Sequence, residues 1–382
     1  MTTKENCSKN KLATSHRSRP KFVFNAIVLF FWVATMSDAA QVNPRSHAGP
    51  LSLEKLMRPI PVSAAFRDPG YFVWCGTMVQ SDDGKYHLYY SRWKLSLGME
   101  AWVTSSEVAH AVGDSPTGTF KFHDVTLPPR RKELWDGMVT HNPTILHIGK
   151  KYYLYYMGDT GDGKLSTTLN WVHRNNQRIG VAVASNPNGP WKRNDQPLLD
   201  ISLNPSAPDS LCVSNPSVTQ GRDGRFYLLY KAVGRENSLP FGGPVVHLMA
   251  ISKSPMGPFQ KDLKPKFTLA GQSFPFEDPF FWYDRSRDRY FVILKDNQGR
   301  VAGTGESALI LYESKDAIQW TKASHLLVST LELHWATGKT QSVKRMERPQ
   351  ITFDRNGDPV AMIVAISDNE SATYNVRIPL SH

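Results

Sequence analysis

"HNPTILHIGKKYYLYY", residues 141–156, sets a polar pair and a proline before a short apolar run, a charged turn and a cluster of tyrosines. Nearly the same phrase returns as "SNPSVTQGRDGRFYLLYK" from Ser214. Three further versions are "WCGTMVQSDDGKYHLYYSRW" from Trp74, "EDPFFWYDRSRDRYFVILKD" from Glu277 and "ERPQITFDRNGDPVAMIVA" from Glu347. With the second letter of each taken as a marker, Cys75, Asn142, Asn215, Asp278 and Arg348 follow one another at steps of 67, 73, 63 and 70 residues. A period this regular indicates a repeated structural unit.

A second phrase recurs between the first ones: "EVAHAVGDSPTGTFKF", "RIGVAVASNPNGPWKR", "HLMAISKSPMGPFQK" and "ALILYESKDAIQWTKA". Each is a short apolar run, a Ser/Asp turn with Pro or Gly, then an aromatic and a charged residue, which reads as strand, turn, strand. The first phrase reads the same way, because its β-branched and aromatic runs are short and bounded by "DDGK", "IGKK", "RDGR" and "RNGD". Four strands per unit and five units predict an all-β fold: a five-bladed β-propeller with four-stranded antiparallel blades around a central funnel. Inner strands of such a fold are covered on both faces, so "YYLYY" and "FYLLY" are expected in the core.

The first 40 residues differ from the rest. Six Lys/Arg against one Glu in residues 1–21 precede the largely apolar "FVFNAIVLFFWVATM" and the small residues "SDAAQ". That is the layout of a secretory leader, and at 15 residues the apolar stretch is shorter than the ~20 that cross a bilayer. The expected organisation is a signal peptide over 1–40, an N-terminal extension over 41–60 and the propeller over 61–382, with export as the destination. Much of the formal charge of +11 belongs to the leader, so the remainder is only mildly basic and does not point to nucleic acid. No membrane partner is expected once the leader is gone. Of three cysteines, Cys75 and Cys212 remain after the leader and could bridge or stay as buried thiols. No Walker, HExxH or CxxC motif is present, and no dinucleotide-type glycine motif in a strand–helix context, which argues against the nucleotide, dinucleotide and metalloprotease classes.

Five units of about 70 residues, several opening on an acid or amide followed by proline, resemble the five-bladed propeller glycoside hydrolases grouped around family 43, with families 32, 62, 68, 117 and 130. "SAAFRDPG", residues 63–70, is similar to a stretch of family 117. The resemblance implies a funnel lined by carboxylates from different blades, one a base or nucleophile, one an acid, one orienting. Glycosidic cleavage needs a protonated acid at the leaving oxygen and an ionised carboxylate across the ring. The chain departs from the family 43 pattern at Cys75, Asn142 and Asn215, none of which can act as a base.

The carboxylates near blade openings are Asp68, Asp136, Glu277, Asp278 and Glu347, and at least two of them are expected to form the working pair. Substrate-binding candidates are Trp74, Arg92, Trp93, His141, Asn142, Asn215, Lys231, Lys295 and Arg348. Lys295 is expected to keep Asp278 ionised. The expected partner is an oligosaccharide or polysaccharide of plant or algal origin, attacked from an end. No His/Cys/Asp cluster at zinc spacing is visible, so no metal or other cofactor is expected in catalysis, although a structural cation on the axis remains an option. Two alternatives stay open: a carbohydrate-binding or scaffolding propeller whose catalytic acids have eroded, and a sucrase or fructan hydrolase, whose usual Asn-Asp-Pro signature is absent.

Overall fold

The computed structural model describes residues 49–369 and 372–381. The proposed leader and residues 41–48 of the extension lie outside these residues.

Among the described residues, twenty-two strands follow in chain order. Ala65–Phe66 is β1. The first blade is Tyr71–Gln80 (β2), Tyr86–Lys94 (β3), Glu107–Gly113 (β4) and Phe120–Leu127 (β5). The second is Val139–Ile148 (β6), Lys151–Asp159 (β7), Arg178–Ala184 (β8) and Lys192–Arg193 (β9). The third is Cys212–Gln220 (β10), Phe226–Val233 (β11), Val245–Ser252 (β12) and Gln260–Asp262 (β13). The fourth is Phe276–Asp284 (β14), Arg289–Asp296 (β15), Ala308–Ser314 (β16) and Thr321–Ser329 (β17). After a small hairpin, Glu332–His334 (β18) with Thr340–Ser342 (β19), the fifth blade is Arg345–Phe353 (β20), Pro359–Asn369 (β21) and Ala372–Pro379 (β22). Its fourth strand is β1, whose Ala65 and Phe66 pair antiparallel with Val376 and Asn375. The start of the described chain thus completes the last blade, and the ring closes through backbone hydrogen bonds.

The repeated proline phrase turns out to be a bulge. In all five innermost strands the ladder loses register at the marker: between Trp74 and Thr77, His141 and Thr144, Ser214 and Ser217, Glu277 and Phe280, Glu347 and Gln350. Each marker sits in the left-handed region, with φ of 53°, 52°, 49°, 55° and 55° from Cys75 to Arg348. Asn and Asp tolerate that region better than other side chains, and a following proline has no N–H to leave unpaired at the bulge. Blade 1 has Gly76 there instead; a Cβ at this position would stand 2.7 Å from the Asn375 amide and 2.9 Å from Ile363. A bulge re-aims its side chain, and here it turns each marker toward the axis.

The tyrosine run lies in the core, as the sequence implies. Tyr153 and Tyr155 pack with Val213, Leu228 and Tyr230 of blade 3, whereas Leu154 and Tyr156 pack with Tyr89 and Val108 of blade 1. Successive residues therefore fill opposite interblade layers, the two-faced burial expected of an inner strand. Tyr155 donates its hydroxyl to the Pro255 carbonyl at 2.8 Å and Tyr156 to Asp136 at 2.7 Å.

Candidate active site at the propeller axis

The five markers join side chain to side chain around the axis. The Cys75 thiol donates to Asn142 Oδ1 (2.8 Å), Asn142 Nδ2 to Asn215 Oδ1 (2.6 Å), and Asn215 Nδ2 to Asp278 Oδ1 (2.9 Å). Arg348 then donates its backbone N–H to Asp278 Oδ2 (3.1 Å) and Nη1 to Asp278 Oδ1 (3.2 Å). All five are buried. Burial pushes the Cys75 thiol up, so it stays protonated and can donate. Cys75 and Cys212 are both free, buried thiols, which removes the bridge left open by the sequence.

Next to this ring stand the residues one place before the markers: Trp74, His141, Ser214, Glu277 and Glu347. Cross-strand register sets Ser91, Met157, Lys231, Lys295 and Ala365 opposite them. The two lysines do not serve their own partners. Each reaches to the next blade, Lys231 to Glu277 at 2.8 Å and Lys295 to Glu347 at 2.5 Å. Sequence reasoning paired Lys295 with Asp278; the structure gives Asp278 to Arg348 and Lys295 to Glu347.

The two glutamates titrate apart. Burial pushes Glu277 up, but Lys231 and Lys295, with Arg348 behind them, outweigh it and hold the carboxyl at about 2. Burial raises Glu347 as well, and there Asp278 and Glu277 add to the rise, so Lys295 alone does not bring it back to the usual range. Glu277 and Glu347 keep 20% and 15% side-chain exposure, against 3% for Asp278 and 4% for Arg348. The pair faces accessible space while the marker ring beneath it is closed.

On the blade 1 side the axis is covered. The segment between β3 and β4 forms short helical turns that bring Trp102 to 4.9 Å from the His141 ring. His141 is buried, hydrogen-bonded through Nδ1 to Ser106 (2.7 Å), and burial holds it well below the ordinary imidazole range. Trp74 and Trp93, expected to stack on sugar, are buried at 5% and 1%; Trp93 stacks on Phe72 and donates to the Gly98 carbonyl. The half-buried tryptophan beside the axial residues is Trp102, which the sequence reading passed over because it lies outside both repeated phrases. On the opposite side Lys231 lies over the Phe274 ring, which contacts Phe241, which in turn contacts Trp171. His247, opposite Lys231 in the ladder, was also missed; it is buried, held at about 3 by burial, and its Nε2 has no hydrogen-bond partner among the described residues.

Asp68 and Asp136 are not brought to this group. Asp68 accepts from Tyr90 (2.6 Å) and Arg92 (2.8 Å), on the second strand of blade 1, and Arg92 is held in turn by Glu107 on the third. Asp136 is fully buried against Arg130 (2.5 Å), Arg193 (3.3 Å) and Tyr156 (2.7 Å), with Arg193 on the outermost strand of blade 2. Each carboxylate is thus paired with a cation of its own blade or of the connection into it, and Arg92 is shared between Asp68 and Glu107.

No protein-family profile matches the sequence, and no curated protein sequence does. Solved structures do match in fold. A family 117 glycoside hydrolase of the marine bacterium Zobellia galactanivorans superposes with a TM-score of 0.58 at 18% identity, over 85% of this chain and 90% of that one. The arabinanase of Bacillus subtilis gives 0.55 at 13% identity, over 83% and 96%. An α-L-arabinofuranosidase of Lactobacillus brevis gives 0.53 at 11%, over 87% and 94%. The fold is thus one that solved glycoside hydrolases share, among them members of families 117 and 43.

Proposed function

We propose that the protein is an exported glycoside hydrolase acting on plant or algal oligosaccharides from a chain end, with Glu347 as general acid and Glu277 as the ionised carboxylate. The observation that carries this reading is the pair itself: two accessible carboxylates at the same position of adjacent blades, one held low and the other raised. Titratable neighbours pushed in opposite directions are the arrangement an acid and a base need at one pH. Glu347 would protonate the leaving oxygen, and Glu277 would activate water or attack the sugar. Asp278, fixed by Arg348 and Asn215, is the orienting carboxylate. The solved neighbours are named as glycan-cleaving enzymes, which agrees with this chemistry. Incubation with a panel of oligosaccharides, read by chromatography of the released sugars, tests it; no cleavage of any of them would leave the binding alternative standing. That alternative draws on the amide and thiol at Asn142, Asn215 and Cys75, where catalytic acids are otherwise expected.

The pH profile follows from the two shifts. The base must be ionised, which holds above about 2, and the acid must be protonated, which holds below the raised value of Glu347. The plot of kcat/KM against pH is therefore expected to be flat on its acidic side and to fall on its alkaline side as Glu347 deprotonates. Lys295 lowers both groups, so Lys295→Met should move the alkaline fall to higher pH; a profile that does not move assigns that limb to another group.

Trp102 is the proposed sugar platform. Trp102→Ala should raise KM between about twofold and tenfold, the worth of one stacking contact, with kcat little changed. An unchanged KM on every cleaved substrate would remove Trp102 from the binding surface.

A further inference from the structure

We propose that blade 1 carries a binding site for a divalent transition metal of the zinc class, formed by His110, His123 and Asp124 and separate from the axial carboxylates. One ligand atom from each of these residues lies within 4.8 Å of the others. His110 is on β4, and its cross-strand partner on β5 is Asp124. The ladder shifts there, Ala111 pairing with Phe122, so His123 is the extra residue of a bulge. Consecutive strand residues normally face opposite sides of a sheet; the bulge lets His123 and Asp124 face His110 together. Their contacts show it: His123 Nδ1 is 2.9 Å from Asp124 Oδ2, and the His110 and His123 rings stand 5.0 Å apart.

The proton accounting points to a cation. Ser81 Oγ lies 2.5 Å from Asp83 Oδ1 and 3.1 Å from the Lys85 carbonyl, both acceptors, so its one hydrogen is spent there. Its oxygen must then accept from His87 Nε2, 3.0 Å away. A neutral imidazole carries hydrogen on one ring nitrogen only. His87 Nδ1 is therefore bare and accepts the Nε2 hydrogen of His110 across 2.9 Å. That leaves His110 Nδ1 with a lone pair and no hydrogen. This buried nitrogen has no hydrogen-bond partner, and it looks at the Asp124 carboxylate, itself an acceptor, from 3.7 Å. A buried lone pair aimed at a carboxylate is unfavourable unless a positive centre lies between them.

A zinc-class ion matches the donors. Two imidazoles and one carboxylate suit metals of this group better than calcium or magnesium, which take oxygen ligands. Ligands at ~2.0–2.1 Å in a tetrahedron stand about 3.3 Å apart, so the cluster needs to close only modestly. His123 and Asp124, with side chains 45% and 39% exposed, have room to do so, and a water can complete the set. His110 donates its other ring N–H to His87, the outer-shell contact by which metal-ligating imidazoles are held in tautomer and orientation. Bound there, the ion would tie β4 to β5 at the outer edge of blade 1.

The test uses the untagged protein, stripped with a chelator and titrated with zinc by calorimetry, and with cobalt(II) by visible absorption. One ion per chain is expected, with cobalt bands of low-symmetry nitrogen and oxygen ligation. His110→Asn and His123→Ala should each weaken zinc at least ~10-fold, and His87→Phe, which removes only the outer contact, ~10- to 100-fold. His123 is partly exposed, so its variant decides the matter even if the buried replacements fail to fold. No saturable zinc binding, or binding unchanged in His123→Ala, would overturn the proposal.

Discussion

Glu347→Gln is expected to cut turnover on a natural glycan by ~10²-fold or more while leaving cleavage of an aryl glycoside with a very acidic leaving group nearly intact. Glutamine keeps the shape of the side chain and the bond to Lys295, but it has no proton to give. An acidic leaving group departs without protonation, so only the natural substrate registers the loss. Glu277→Gln should differ in kind. It removes the carboxylate that Lys231 and Lys295 hold ionised, so turnover should fall by a similar or larger factor on both substrates. Measuring the four rates separates the roles: a reversed pattern exchanges acid and base, and full turnover by both variants on the natural glycan removes the pair from the chemistry. The thermal midpoint of each variant, measured beside the rates, separates loss of chemistry from loss of fold, since each substitution takes the partner from a largely buried lysine.

Arg348→Met is expected to produce the largest loss of stability of any single change at the axis. Asp278 is buried, with its carboxylate held by Asn215 and by two donors of Arg348. Removing the guanidinium leaves that charge without its cation, which costs about 3–5 kcal/mol, a large share of the ~5–15 kcal/mol that keeps a typical domain folded. The measurement is the denaturant midpoint of the variant. Arg348→Met combined with Asp278→Asn removes both charges and should recover much of the loss, because the penalty lies in the uncompensated carboxylate rather than in the missing bridge. Equal midpoints for the single variant and the parent would show that water reaches Asp278 and that the ring does not seal the axis.

The recurrence of Asn142-Pro143, Asn215-Pro216 and Asp278-Pro279 made the propeller legible before any coordinates. Each phrase encodes its own local geometry: a residue tolerant of positive φ, a proline that needs no ladder bond, a short turn. Five local solutions at a constant period leave one architecture, so the blades, the buried tyrosines and the convergence of the markers all follow from the chain itself. Glu277 and Glu347 were legible for the same reason, being fixed one place before a marker.

What the chain alone could not decide was which partners each charge would meet. Asp68 and Asp136 look as suitable as Glu277 in sequence, yet Arg92, Arg130 and Arg193 claim them for the blades. Lys231 and Lys295 serve the following blade, not their own, a contact that exists only because blades are stacked around a ring. His110, His123 and Asp124 have no metal-binding spacing in sequence; a single extra residue in β5 brings them to one side. Backbone conformation is set largely by neighbours in the chain and repeats when they repeat. Charges and lone pairs are settled by whatever the register of distant strands places within about 3 Å, and that distance belongs to the folded structure alone.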